Sequence, residues 1–233
     1  MSAPLLASFS VSGGSPPPTL ESLRVHTDGH ARAIVAGAWP HGDPQDEAGL
    51  YECELDANQL ERVREYAAHP DLRAQAGEHG PIRADSGRAS LKLGDDGTKI
   101  AWGAFVTPAP AVADTVAALR DILAAVRRHP VSAVRMALVG TELELSNPGT
   151  EPVGVSLLRP RVATYGSDEP PPLSVYHEAD ELDPVPDFTL AGGERRRIPI
   201  ATSVGAPVIA FATVTVELPD AARLDGFLVS RSA

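Results

Sequence analysis

The segment HTDGH, His26 to His30, places two imidazoles and a carboxylate within five residues. Imidazole nitrogens bind transition metals, so this spacing raises the question of a metal site. The geometry of the turn decides whether the two histidines can bind the same metal ion. In a two-residue type I′ turn of Asp28-Gly29, the two histidines point to opposite faces of a hairpin and cannot chelate one ion. In a three-residue loop with Gly29 as a bulge, they lie side by side.

The residues that flank the turn favour the two-residue loop. That loop pairs apolar Leu23 with Ile34, whereas the three-residue loop opposes Arg24 and Arg32, which carry like charges. The sequence therefore predicts that the two histidines lie on opposite faces and form no metal site.

The single cysteine, Cys53, excludes an intrachain disulfide. Glu52 and Glu54 flank it, and carboxylates disfavour the thiolate that a nucleophile requires. Tyr51 and Leu55 share its strand face, so we expect Cys53 to be a buried core residue.

No motif predicts catalysis. GDDGTK (94–99) lacks the spacing of a phosphate loop, and YGSDEP (165–170) lacks a nucleophile elbow. We expect no catalytic, cofactor-binding or metal-binding residue. One enzymatic alternative stays open, a hydrolase that collects His69, His79 or His129 with a carboxylate at a domain junction.

The run HEADELDPVPD (177–187) is acidic and follows the proline-rich DEPPPL (168–173). Alternating carboxylates could bind Ca²⁺, but no glycine supplies the central turn of an EF-hand loop. The simplest interpretation is a solvated loop, and the functional one is a docking surface for a basic protein, stiffened by its prolines. The candidate partner-binding residues are Asp168, Glu169, Tyr176, Glu178, Asp180, Glu181 and Asp183. The nearby ERRR (194–197) is interpreted as a solvent-facing strand that pairs with this loop, with an anion-binding patch as the alternative.

The first half of the chain alternates strands and helices. Asp56 and Gln59 have the spacing of a capping box and predict a helix that Pro70 ends. Pro108 and Pro110 open a long amphipathic helix through His129, whose predicted apolar stripe is Val112, Val116, Leu119, Leu123 and Val126. Period-two patterns predict strands at 21–25, 31–39, 49–55, 88–93 and 98–105, and the segment 71–85 is expected to be irregular.

The second half shows no helical period. Strands are predicted at 133–140, 141–147, 152–158, 161–166, 195–201 and 207–218, with a turn at SNPGTEP (146–152) and a possible strand at LSVYH (173–177).

The segment LELSNPGTEPVGVSLL (143–158) resembles bacterial immunoglobulin-like sandwiches of the intracellular proteinase-inhibitor type. The order of elements in the first half is similar to uncharacterised bacterial domains of ββαββα type. These resemblances transfer no functional residue and favour binding over catalysis.

The formal net charge is −11, and both halves are acidic, which argues against nucleic-acid binding because that needs a positive surface. No apolar run approaches the roughly 20 residues of a membrane span, and the N-terminal segment makes a poor signal peptide, so we expect no membrane contact and a cytoplasmic protein. The arginine-rich, lysine-poor composition suggests a bacterial source.

Together these patterns predict an α+β domain at 1–130 (hairpin, helix, hairpin, long helix), followed by an all-β immunoglobulin-like sandwich at 131–233. The expected function is a non-catalytic protein-binding module, an inhibitor, immunity-type or adaptor subunit, for a partner with a basic surface. The alternatives are the hydrolase and a cation or small-molecule sensor.

Overall fold

A computed structural model describes residues 3–13, 19–36, 47–80, 87–95, 97–103, 106–140, 142–166, 173–200, 208–220 and 222–231. The described parts of 1–15, 20–34 and 51–129 form one compact unit, and those of 16–19, 35–50 and 130–233 form a second. Among the described residues no helix is long and apolar enough to cross a membrane.

The first unit combines a sheet with three helices. Its elements, of which β2, β3 and β4 also have residues in the second unit, are β1 Leu5–Gly13, β2 Thr19–His26, β3 His30–Ala36, β4 Glu47–Glu54, α1 Ala57–Ala67, α2 Pro70–Ala74, β5 Gly77–His79, β6 Arg88–Leu93, β7 Lys99–Gly103 and α3 Pro110–Val126. Neighbouring strands follow the order β3-β2-β1-β6-β7-β5. β6 is antiparallel to both β1 and β7, and β5 is parallel to β7.

Local signals explain the two longer helices. The Asp56 side chain accepts from the backbone N–H of Gln59 at 2.8 Å, and the Gln59 side chain accepts from the Asp56 N–H at 3.1 Å, which is the predicted capping box. Helix α3 starts at Pro110 and buries the predicted apolar stripe, Val112, Val116, Leu119, Leu123 and Val126.

The prediction that the segment 71–85 is irregular is wrong in part, because α2 and β5 lie within it.

The second unit consists mainly of strands. Its further elements are β8 Pro130–Val139, β9 Glu142–Ser146, β10 Val153–Thr164, α4 Leu173–Glu178, β11 Asp180–Glu181, β12 Phe188–Leu190, β13 Arg195–Pro199, β14 Val208–Glu217 and β15 Arg223–Arg231. One run follows the order β13-β9-β8, and a separate sheet follows β11-β10-β14-β15 with β12 also paired to β10. β8 contacts β10, β14 and β15, so two layers of strands bury a core between them. That core includes Met136, Leu145, Val155, Val214 and Leu228.

Strand β10 joins two predicted strands into one. Its register with β14 shifts between Leu158 and Arg161, which marks a β-bulge. Arg159 within it has φ 50°, a backbone conformation that L-residues adopt at a cost. Leu158 beside it is 58% exposed, although it is a large apolar residue.

The predicted SNPGTEP turn joins β9 to β10 and is organised by Asn147, which is 1% exposed. Its side-chain oxygen accepts from the N–H groups of Ala133 and Gly149 at 3.4 and 2.9 Å. Its amide nitrogen donates to the carbonyls of Glu151 and Leu190 at 2.7 and 3.2 Å. The backbone N–H of Asn147 donates to Glu194 O at 2.9 Å. One residue thus joins the β9–β10 turn to the 190–194 connection.

The predicted fold class is wrong. Strands make up 53% and helices 20% of the described residues, in two sheets with few short helices, so the three helices of the first unit do not make it an N-terminal α+β domain. Periodicity identified individual elements but not how they combine. Strands β1, β5, β11, β12 and β15 were not predicted, and residues 35–50 of the first half belong to the second compact unit. The predicted sequence of an α+β domain and an immunoglobulin-like sandwich is therefore not retained.

The possible strand at LSVYH is also wrong, because this segment forms α4. Tyr176 of α4 meets the rings of Phe211 and Phe227 edge-on, with centroids 5.7 and 5.4 Å away. Val175 and Ala179 pack against the same buried cluster. Tertiary contact with β14 and β15 therefore stabilises a helix too short to persist alone.

Candidate functional site

The turn of the HTDGH segment differs from the prediction. The Gly29 N–H donates to His26 O at 3.1 Å, and Gly29 has φ 97°. Among the described non-glycine residues only Arg159 has a positive φ, so Asp28 cannot occupy a type I′ position. The loop is the three-residue form, and the ring centroids of His26 and His30 lie 6.1 Å apart. The prediction of opposite faces is wrong.

Two local contacts account for the observed loop. The Asp28 carboxylate accepts from the His30 N–H at 3.1 Å, which fixes the turn. Arg32 pairs with Glu52 at 3.5 Å, so the charge of this arginine is partly offset within the sheet. Glu52 lies on β4, so the like charges of Arg24 and Arg32 do not by themselves decide the register of the hairpin.

Each of the two histidine rings lies against another polar group. His26 Nδ1 lies 2.8 Å from Ala3 O, and His30 Nδ1 lies 3.3 Å from a carboxylate oxygen of Glu54. Across the ranges given above, no group of three or more His, Cys, Asp or Glu side chains is placed to hold a metal ion.

Cys53 is half-buried rather than fully buried. Burial raises the pKa of its thiol above the ordinary value, and the negative charge of Glu54 raises it further. The thiol therefore stays protonated at neutral pH, which is the opposite of what a nucleophile needs.

The histidines of the hydrolase alternative make local contacts. His69 Nδ1 accepts from the Asp71 N–H at 3.3 Å and caps α2. His79 Nε2 lies 2.6 Å from Gln75 O. His129 is exposed, and its backbone N–H donates to Val126 O at the end of α3. These contacts give the hydrolase alternative no support.

We call residues 178–187 the acidic segment. All five of its carboxylates are exposed: Glu178, Asp180, Glu181, Asp183 and Asp187. Of the other candidate partner-binding residues, Asp168 and Glu169 lie outside the described residues. Tyr176 is half-buried against the aromatic cluster and has the Arg161 guanidinium 5.0 Å from its ring centroid. It anchors the start of the acidic segment.

The acidic segment is bound to β10 at its beginning. β11 pairs with Arg161 and Val162, and the Leu182 N–H donates to Pro160 O at 2.8 Å. Glu181 forms an ion pair with Arg161 at 3.5 Å. No other carboxylate of the segment forms an ion pair with a described residue. Four exposed carboxylates therefore belong to a segment whose backbone is hydrogen-bonded to β10 at its beginning.

The predicted solvent-facing strand is present as β13, but its pairing with the acidic loop is wrong, because β13 pairs with β9. Arg195 and Arg197 lie 3.5 and 3.0 Å from the carboxylate of Glu144, which is 9% exposed. Arg197 also reaches Glu142 at 3.2 Å. The hydrogen bond and charge of Glu144, with Glu142, hold the pKa of Arg197 above its usual value.

A groove of about 460 Å³ separates the acidic segment from β13. Residues 181–186 form one wall and residues 196–199 the other. The Arg196 guanidinium lies over the Phe188 ring, 4.1 Å from its centroid. The sequence singled out both the acidic loop and the arginines, with an anion-binding patch as one alternative. It did not predict a groove between them, because β13 is placed by pairing with β9, about 50 residues away.

Comparison of the chain with protein-family models, curated proteins and solved structures gives no match.

Proposed function

We propose that the protein is a non-catalytic protein-binding module, an inhibitor, immunity-type or adaptor subunit, that docks a basic partner surface on the acidic segment. The observation that carries the proposal is the set of four exposed carboxylates, at 178, 180, 183 and 187, without an ion-pair partner among the described residues. Their backbone is attached to β10, so they present charge from a defined place.

The exposed carboxylates of the acidic segment can attract a basic partner over a distance. Complementary charge steers a basic partner toward the segment and fixes its orientation, more than it adds affinity. The net charge of −11 supports a basic protein and opposes a nucleic acid as the partner. We place this activity in the cytoplasm, in keeping with a chain that has a single cysteine.

The proposal is tested by removing the charges. The variant Asp180→Asn/Asp183→Asn/Asp187→Asn keeps the shape of the segment and loses three charges. Immobilised wild-type protein should retain partner proteins from extracts of its native host at low salt, and the variant should retain them at least several-fold less. High salt should abolish the difference, because exposed charges are screened.

The matched control is Glu65→Gln/Asp114→Asn/Glu151→Gln. These three residues are exposed, lie outside the acidic segment and form no ion pair with a described residue. The control removes the same charge and should retain partners as the wild type does. Equal retention by both triple variants, or turnover of a small molecule by the purified protein, would overturn the proposal.

A further inference from the structure

We propose that the groove receives an extended segment of the partner, which adds as a strand to the free edge of β13. The inference rests on the proposed function and specifies how the partner is held. The edge of β13, the contacts of Arg196 and the charges on the two walls support it.

β13 is the terminal strand of the run β13-β9-β8, and its ladder partners all lie on β9. Among the described residues, no backbone hydrogen bond joins β13 to the acidic segment across the groove. A strand edge of this kind presents unpaired N–H and C=O groups, which an extended peptide can pair. The opposite wall contains Pro184 and Pro186, and a proline offers no N–H, so it cannot close the ladder from its own side.

Arg196 is the one arginine of β13 whose guanidinium is not bound by a carboxylate of a described residue. Arg195 and Arg197 are engaged by Glu144. The Arg196 guanidinium instead lies over the face of the Phe188 ring, a cation–π contact that does not use its N–H groups. Such an arginine is prepared to bind a carboxylate through two hydrogen bonds.

Strand pairing then predicts the chemistry of the partner segment. A residue opposite Arg196 on an added strand has its Cβ about 5 Å away on the same face, so an acidic residue belongs there. Ile198 shares that face and is half-buried, so an apolar residue belongs two positions along. Asp183 on the opposite wall takes a basic residue of the same segment. The occupant is therefore an extended peptide with acidic, apolar and basic side chains.

A random nonapeptide library displayed on phage tests the inference. It is selected on the full-length wild type after depletion on the uncoated support, and enriched peptides are synthesised for affinity measurement. We expect peptides with an acidic residue two positions from an apolar one. Arg196→Ala should weaken them about fivefold, and Arg196→Glu more. The control Arg128→Glu, at an exposed arginine on the other compact unit, should not change their affinity.

Strand addition has two further readouts. Two versions of a selected peptide are N-methylated at every second backbone nitrogen, one at the odd and one at the even positions. Only alternate N–H groups face β13, so one version should lose binding and the other should keep it. Amide hydrogen exchange should slow within Arg195–Ile198 on binding. Peptides that bind wild type and Arg196→Glu equally, an absence of enrichment, or insensitivity to methylation would overturn strand addition. If partner capture nevertheless depends on the acidic segment, the proposed function survives that result.

Discussion

At the scale of single residues, the side chain of Asn147 forms four hydrogen bonds to backbone groups. Its buried amide bonds β8, the β9–β10 turn and β12, through Ala133, Glu151 and Leu190. An amide side chain can meet all these demands because it offers both a donor and an acceptor. The turn was predictable from SNPGTEP, but the contact with Leu190 was not, since that residue lies 43 positions away.

We predict that Asn147→Ala lowers the free energy of unfolding by about 3 kcal/mol, because it leaves several buried backbone groups without partners. Urea denaturation measures the change. Ser146→Ala, one position earlier and half-buried, is the control and should cost well under half as much. Similar losses for the two variants would contradict the role given to the Asn147 amide.

The second residue-scale prediction concerns Cys53. Because burial and then Glu54 raise its pKa in the folded state, its alkylation by iodoacetamide should reach half-maximal rate at a higher pH than in the urea-unfolded chain. Glu54→Gln should move that pH down only in part, since burial is the larger cause. Glu65→Gln is the distant control. A profile at or below that of the unfolded chain would refute the prediction.

The same shift has a consequence for stability. A thiol whose folded pKa is raised contributes its full stabilisation below the unfolded pKa, and the contribution is lost as pH rises through the folded pKa. Cys53→Ser should therefore flatten the decline in stability on the alkaline side.

At the scale of elements, the predictable parts were those decided by neighbours in sequence. The capping box of α1 and the β6–β7 hairpin depend on residues a few positions apart, and both were predicted. The histidine loop and α4 depend on other strands, through Arg32–Glu52 and through Tyr176 on Phe211. Likewise, the acidic loop and the arginines were visible as composition, whereas the groove between them needed the position of β13. Sequence periodicity predicts single strands and helices, but it does not predict which distant elements pair with each other.

The bulge in β10 gives an element-scale prediction. Arg159 has φ 50°, so Arg159→Gly should relieve backbone strain and raise the free energy of unfolding by about 1 kcal/mol. Arg159→Ala removes the same side chain but keeps the Cβ atom, so it should give no gain. Chemical denaturation distinguishes them, and equal effects of alanine and glycine would show that strain at this position is not the cause.

At the scale of the whole molecule, the excess negative charge opposes folding through self-repulsion. The acidic segment adds to this, because its charges are close together and mostly without counter-ions among the described residues. The charges proposed to bind a partner therefore cost stability in its absence, as binding surfaces commonly do.

We predict that Asp180→Asn/Asp183→Asn/Asp187→Asn raises the free energy of unfolding by roughly 1 kcal/mol at low salt. The gain should shrink in high salt because screening already weakens the repulsion. Thermal denaturation at two salt concentrations measures it. The control Glu65→Gln/Asp114→Asn/Glu151→Gln should gain less, and an equal gain would mean that only net charge matters.

The hydrogen bonds of Asn147 also bear on how a ligand would bind. They fix Leu190, just after the acidic segment, and Glu194, just before β13. Both walls of the groove are thus held near one end before any partner arrives. Most of the conformational entropy lost on binding would then be the partner's own. Segments that are already extended, by a hairpin or by cyclisation, should therefore bind more tightly than flexible peptides of the same sequence.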